Sequence, residues 1–216
     1  MRDAENIRAV ERLGIDMIGM IFVPQSPRYV ATQPSLAGIL PDRASESLLA
    51  GGHSPSRVGV FVDDMPQHII ACVYNFSLDY VQLHGHETRT LIDNLRATID
   101  PDIRPGVKII KAISVAEADD LRATEEFEGA ADMFLFDTKC ATAGGSGRQF
   151  DWSLLERYHG QTPFLLSGGI GPNDVAAVRA FNHPQCVGID VNSRFETEPG
   201  MKDVYLLRAF VEAVRV

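Results

Sequence analysis

The chain has 216 residues, 45% of them hydrophobic and 23% charged, and a formal net charge of −9. One domain with a sizeable core fits that length and two do not, while the acidic balance excludes the basic face of a general nucleic-acid binder. No run approaches the ~18 apolar residues of a membrane span, and Met1 leads into Arg2, Asp3 and Glu5 without an apolar secretory segment. The cysteines, Cys72, Cys140 and Cys186, are scattered and odd in number. They make neither a CxxC pair nor a disulfide framework, so a cytoplasmic, reducing home is expected. A phosphorylated small molecule stays open as a ligand, because local backbone donors can hold a phosphate against an unfavourable overall charge.

In chain order, Asp3 is placed to cap an opening helix whose apolar stripe is Ile7, Val10 and Leu13. Seven short apolar runs come next: Ile15–Phe22, Arg57–Val62, Tyr80–Leu83, Val107–Ile113, Met133–Asp137, Pro163–Leu166 and Val187–Val191. Runs of this length that are apolar on both faces are the pattern of parallel strands covered on both sides. Helical spacing separates them over Pro66–Phe76, Thr88–Ile99, Asp174–Phe181 and Val204–Val214, with Pro66 and Pro172 near helix starts. Pro41–Ser56, with Gly51-Gly52 and Ser54-Pro55, is expected to be a loop or a frayed helix end.

Strands alternating with helices imply βαβ units and a parallel sheet. The count is seven strands to eight helices, whereas a (β/α)8 barrel closes with eight strands. The expected fold is therefore α/β: one (β/α)8 TIM barrel over residues 1–216, with its first β-strand missing from this chain. Two unpaired sheet edges are then expected to invite self-association.

In such a barrel the chemistry lies at the carboxyl ends of the strands. The polar residues there are Ser26-Pro27-Arg28, Asp63-Asp64, Gln82, His84, Lys111, Asp137-Thr138-Lys139, Ser167-Gly168-Gly169 and Asp190. Two glycine turns, Gly144-Gly145-Ser146-Gly147 and Gly168-Gly169, allow backbone N–H groups to approach an anion. Asp190-Val191-Asn192-Ser193-Arg194 is placed to complete a phosphate cup. Asp137 ends an apolar strand, where desolvation favours the protonated carboxyl of a general acid; the competing reading is a cap on Thr138 or a pair with Lys139. Arg28 comes after a stiffening Pro and offers a planar fork for a carboxylate, against the plainer reading of a solvated surface cation. His84 and His86 flank Gly85, but no carboxylate pattern joins them into a metal site. Lys111, read as pointing to the mouth, is open to phosphate attraction, Schiff-base chemistry or a structural ion pair.

These segments together resemble phosphoribosylanthranilate isomerase over nearly the whole chain. The matching stretches are Phe22–Val30, Val58–Val62, Val81–Gly85, Asp137-Thr138-Lys139, Phe150-Asp151-Trp152, Leu166–Ile170, Gly188–Ser193 and Pro199–Asp203. The resemblance implies an Amadori rearrangement of N-(5-phosphoribosyl)anthranilate in tryptophan biosynthesis, without cofactor or metal. It implies Asp137 as general acid and Arg28 as holder of the anthranilate carboxylate. Gln82 and His84 fall in the substrate site; Gly145, Gly147, Gly168, Gly169, Asn192 and Ser193 hold the phosphate; and Asp190 supports the last strand. The family's usual Ser-Ser-Gly-Val-Glu is Asn192-Ser193-Arg194-Phe195-Glu196 here, so the backbone donors around Arg194 differ.

Family members open with a strand ending in Cys-Gly whose Cys is the general base, and Met1-Arg2-Asp3-Ala4-Glu5 resembles the residues immediately after that Cys-Gly. The expectation is an absent base and feeble turnover, a loss of about 10²–10⁴ for one acid/base partner. The alternatives are a phosphate-ligand-binding barrel without catalysis and a related barrel enzyme such as indole-glycerol-phosphate synthase.

Overall fold

The structure, a computed structural model, describes residues 1–31, 54–139 and 150–215. Most of the expected Pro41–Ser56 loop falls outside them. Helix α1 (Ala4–Glu11) is capped as its sequence predicts, the Asp3 carboxylate accepting the Asn6 N–H at 2.8 Å. Strand β1 (Met17–Ile21) is next, and then β2 (Ser56–Phe61), α2 (Pro66–Phe76), β3 (Tyr80–Leu83), α3 (Arg89–Asp102) and β4 (Lys108–Val115) alternate. A 3-10 turn at Ala118–Arg122 and α4 (Ala123–Phe127) lead to β5 (Met133–Thr138), and a 3-10 helix at Trp152–Arg157 leads to β6 (Phe164–Leu166). The chain then forms α5 (Val175–Ala180), β7 (Cys186–Ile189), a hairpin of β8 (Glu196–Glu198) and β9 (Met201–Lys202), and α6 (Val204–Arg215).

All seven expected strands are present, each end within two residues of its apolar run. They form one parallel sheet in the order β1 to β7, every strand paired with its sequence neighbour. These are seven of the eight strands with which a (β/α) barrel closes. The helix expected over Asp174–Phe181 is shorter than its pattern. Asp174 folds back to accept the Gly171 N–H at 2.7 Å, making Pro172–Asp174 a 3-10 turn, so α5 begins only at Val175. The hairpin has no strand pattern in the sequence, yet its turn has a simple cause. Pro199 and Gly200 occupy the centre, and Gly200 has φ +88°, the left-handed value a Pro-Gly turn uses.

Side chains alternate across each strand with a period of two. Ile18, Met20, Phe61, Val81, Leu83, Ile109, Ile113, Phe134, Phe136, Phe164 and Leu166 join the large core that packs against the helices. The opposite parity forms a separate, smaller cluster of Val58, Ile110, Ala112 and Leu135, with Met17, Tyr80, Met133 and Leu165 against it. The second set defines the inner face of the sheet. Continuing that parity past the strand ends puts Gln82 and His84, Asp137, Ser167 and Asp190 on the inner side. No helix among the described residues is long and apolar enough to cross a membrane.

The helix-side core is aromatic at its centre. Phe164 is fully buried and meets Phe136 at 4.9 Å, Tyr158 at 5.7 Å and His183 at 5.0 Å between ring centroids. Phe164→Ala is expected to cost about 3–5 kcal/mol through lost transfer energy and the cavity left behind, read as a lower denaturation midpoint with an unchanged denaturant slope.

Candidate active site

The site is built from strand ends that the sheet brings side by side. Beyond the last ladder pairs, Ser167 N–H donates to Phe136 O at 2.9 Å and Asp190 N–H to Leu166 O at 2.8 Å. Asp137, Ser167 and Asp190 therefore stand in one row. Ser167 Oγ donates to Asp190 Oδ2 at 2.9 Å. Burial, helped by the nearby charge of Asp137, pushes the Asp190 carboxyl above its ordinary value against that bond. Asp137 is turned inward with 23% of its side chain exposed; its Oδ1 accepts the Thr138 N–H at 2.8 Å, and its Oδ2 lies 3.3 Å from His84 Nε2. The cap on Thr138 is thus real. The pair with Lys139 is not, because Lys139 bonds Asp120 at 2.8 Å.

Gln82 completes the row. Its amide nitrogen sits 2.9 Å from His84 Nδ1, so this hydrogen-bond network assigns the ring N–H to Nε2, facing Asp137. Sequence alone places all three residues at the mouth but gives no sign that they form one chain. His86 goes elsewhere: it is exposed and pairs with Asp63 at 3.1 Å. Burial opposes the charge on Asp63, but the His86 backbone and ring hold its carboxyl below the usual range.

Lys111 does not point to the mouth as expected. It shares strand parity with Ile109 and Ile113 and faces the helices, where its Nζ donates to Glu87 at 3.0 Å and to Gly85 O at 2.7 Å. Its own side chain is 4% exposed and that of Glu87 1%. Glu87 also accepts the N–H groups of Gly85 and Asp63, each at 2.9 Å. Of the three readings of Lys111, the ion pair is the one present. It ties together the loops after β2 and β3, and so holds the turn that carries His84.

The two final turns meet. Gly168 and Gly169 have φ +89° and +69°. A β-carbon at 168 would lie 2.5 Å from Thr138 Oγ1, so glycine is what lets this turn close on the tip of β5. Gly171 packs against Arg194, whose Cδ would sit 2.8 Å from a β-carbon there, bringing the Gly168–Gly171 turn beside Asn192 and Ser193. Gly145, Gly147 and Cys140 lie outside the described residues.

Arg28 lies in the loop after β1, its N–H bonded to Ser26 Oγ at 3.1 Å. Its guanidinium meets Glu196 through two nitrogens, Nε at 2.8 Å and Nη2 at 2.6 Å. Glu196 also accepts from Lys202 Nζ at 3.2 Å, and Lys202 reaches Asn192 O at 2.9 Å and Asn192 Oδ1 at 2.7 Å. Glu196 and Lys202 are neighbours of the site that sequence reasoning misses, because the hairpin that carries them has no strand pattern.

The two described cysteines carry no activated nucleophile. Asp64, just ahead of α2, lines up with His68 and Cys72 on that helix at 2.6 Å and 3.6 Å, like a nucleophile and its base. Cys72, however, is 1% exposed, and burial together with the charge of Asp64 pushes its thiol up to about 12. Burial also raises Cys186. Neither is an activated thiolate.

Burial alone would disfavour the Glu196 charge, yet hydrogen bonds and charge from Arg28 and Lys202 hold its pKa below the ordinary 4.5. A depressed acid contributes stability that is complete above the unfolded value and lost as pH falls through the folded one. Melting temperatures measured from about pH 6 to about pH 3 should fall on the acid side, and Glu196→Gln should flatten that fall.

Residues 3–213 match the N-(5'phosphoribosyl)anthranilate (PRA) isomerase family. The N-(5'-phosphoribosyl)anthranilate isomerase of Parabacteroides distasonis is 42% identical over 214 residues, 99% of this chain and 90% of the relative. The phosphoribosyl anthranilate isomerase structure from Thermotoga maritima aligns with a TM-score of 0.78 at 28% identity, over 100% of this chain and 95% of that one. A second isomerase structure, in complex with reduced 1-(o-carboxyphenylamino)-1-deoxyribulose 5-phosphate, aligns with a TM-score of 0.75 at 26% identity, again over 100% and 95%. With the inner row of strand-end residues already in place, the conclusion is direct: this chain is a (β/α) barrel protein of the phosphoribosylanthranilate isomerase family.

Proposed function

We propose that this site performs the Amadori rearrangement of N-(5'-phosphoribosyl)anthranilate to 1-(2-carboxyphenylamino)-1-deoxyribulose 5-phosphate, the isomerisation step of tryptophan biosynthesis, with Asp137 as general acid. The observation that carries the assignment is the placement of Asp137 on the inner face, one oxygen at His84 Nε2 and Asp190 beside it. Asp137 gives its proton to the ribose ring oxygen as the C1–O bond breaks and the anthranilate nitrogen lone pair forms the protonated imine. The His84 N–H then stabilises the carboxylate left behind. The C2 proton passes to a water molecule, its electron pair moves into the imine to give the enolamine, and tautomerisation yields the ketone. With water in place of a side-chain base, turnover is expected to be slow. The imine is the electron sink, so the chemistry asks for no cofactor.

Arg28 takes the anthranilate carboxylate on the side of its fork that Glu196 does not occupy. The Gly168-Gly169 turn with Asn192 and Ser193 takes the phosphate, using backbone donors as in other barrels. Two anion holders, one in the loop after β1 and one at the turns after β6 and β7, fit a substrate that is anionic at both ends. The protein acts on a small molecule in the cytoplasm.

Purified protein is expected to bind reduced 1-(o-carboxyphenylamino)-1-deoxyribulose 5-phosphate, and calorimetry that detects no binding would overturn the reading. Asp137→Asn should lower the turnover number by about 10²–10⁴ while leaving that binding nearly unchanged. Equal turnover in parent and variant would remove Asp137 from the acid's role.

A further inference from the structure

We infer that Glu196 and Lys202 are positioning residues that hold the two anion-binding ends of the site at one fixed spacing, through a single buried network. The inference rests on the roles given above to Arg28 and to the Asn192-Ser193 loop.

The network has four members. Arg28 and Lys202 both bond Glu196, and Lys202 spans from Glu196 to Asn192. The Glu196 side chain is 4% exposed and that of Lys202 8%. A carboxylate so buried keeps its charge only by holding its partners in place. Burial lowers the Lys202 pKa against the pull of Glu196; at Glu196 burial acts upward, and the bonds and charge of Arg28 and Lys202 outweigh it. Asp190 is also within the electrostatic reach of Lys202.

The backbone beneath these side chains is fixed as well. Asn6 bonds both the N–H and the carbonyl of Lys202, each at 2.8 Å, and Gly200 N–H donates to Glu196 Oε1 at 3.2 Å. Neither Glu196 nor Lys202 needs to touch substrate. Glu196 orients the guanidinium that faces the carboxylate, and Lys202 holds the carbonyl and side chain of Asn192, which set the direction of the phosphate loop. An aryl carboxylate and a phosphate on one ligand must then match the distance that the hairpin imposes.

Each end has its own small probe, so the two arms separate. Anthranilate reports the carboxylate end and inorganic phosphate the other, each titrated by calorimetry or chemical-shift change. Glu196→Gln should weaken anthranilate about tenfold and leave phosphate within about twofold. Lys202→Met should do the reverse, and Lys202→Arg, which keeps the donors, should restore phosphate binding. Lys202→Met leaves the Arg28–Glu196 pair neutral in sum, so it decides the phosphate arm if Glu196→Gln does not fold; the shorter Glu196→Asp then decides the other. Variants that lower the melting temperature yet leave both affinities unchanged, or weaken both probes equally, overturn the proposal. Arg28→Met is run alongside. If it leaves anthranilate binding intact, the carboxylate role of Arg28 fails and the inference with it; if it weakens anthranilate while Glu196→Gln does not, only the positioning role fails.

Discussion

The two-residue alternation of side chains along a parallel strand is the constraint on which everything else depends. In this sheet it sorts each strand into a face that packs under helices and a face that fills the inside. Because all seven strands run the same way and pair in sequence order, the inner parity emerges at one end of the sheet. Gln82, Asp137, Ser167 and Asp190 come from four different strands and still meet. The same rule sends Lys111, one residue out of phase, to the helix side, where a charge must find a partner or be lost.

Buried charge is the second theme. The Lys111–Glu87 pair and the Arg28–Glu196–Lys202 group both lie almost out of solvent. A buried pair is weak as a source of net stability, since desolvation offsets most of its attraction, but breaking one partner away is costly. Such groups are therefore better understood as fixing geometry. The first fixes the turn bearing His84, and the second joins the loop after β1 to the hairpin near the end of the chain. The polar row between them stays partly open to solvent, as a site that admits a ligand must.

How much of the molecule is legible in its sequence depends on how local each signal is. The seven strands are readable because each is a run of apolar residues within a single window. Asp137 and Asp190 are readable because each sits directly behind such a run. Arg28 stands out from its local Ser-Pro-Arg setting, but its partner Glu196 is 168 residues away, and no local pattern joins them. Sequence reading misplaces Lys111 because its parity becomes clear only when the two core clusters are separated. It misses the hairpin because β9 is two residues long and has no periodicity to detect. The short α5 likewise yields to a turn that Asp174 makes with Gly171.

The clamp between Asn6 and Lys202 has a temporal consequence. It joins residues 196 positions apart, and closing so long a loop is entropically unfavourable until the intervening strands have already condensed. On a ribosome the early helix must wait, unpartnered on that side, until almost the entire polypeptide has been synthesised. The Arg28–Glu196 contact thus cannot form before the final hairpin emerges, and a nascent chain halted ahead of it would carry Asp137 without that anchored guanidinium.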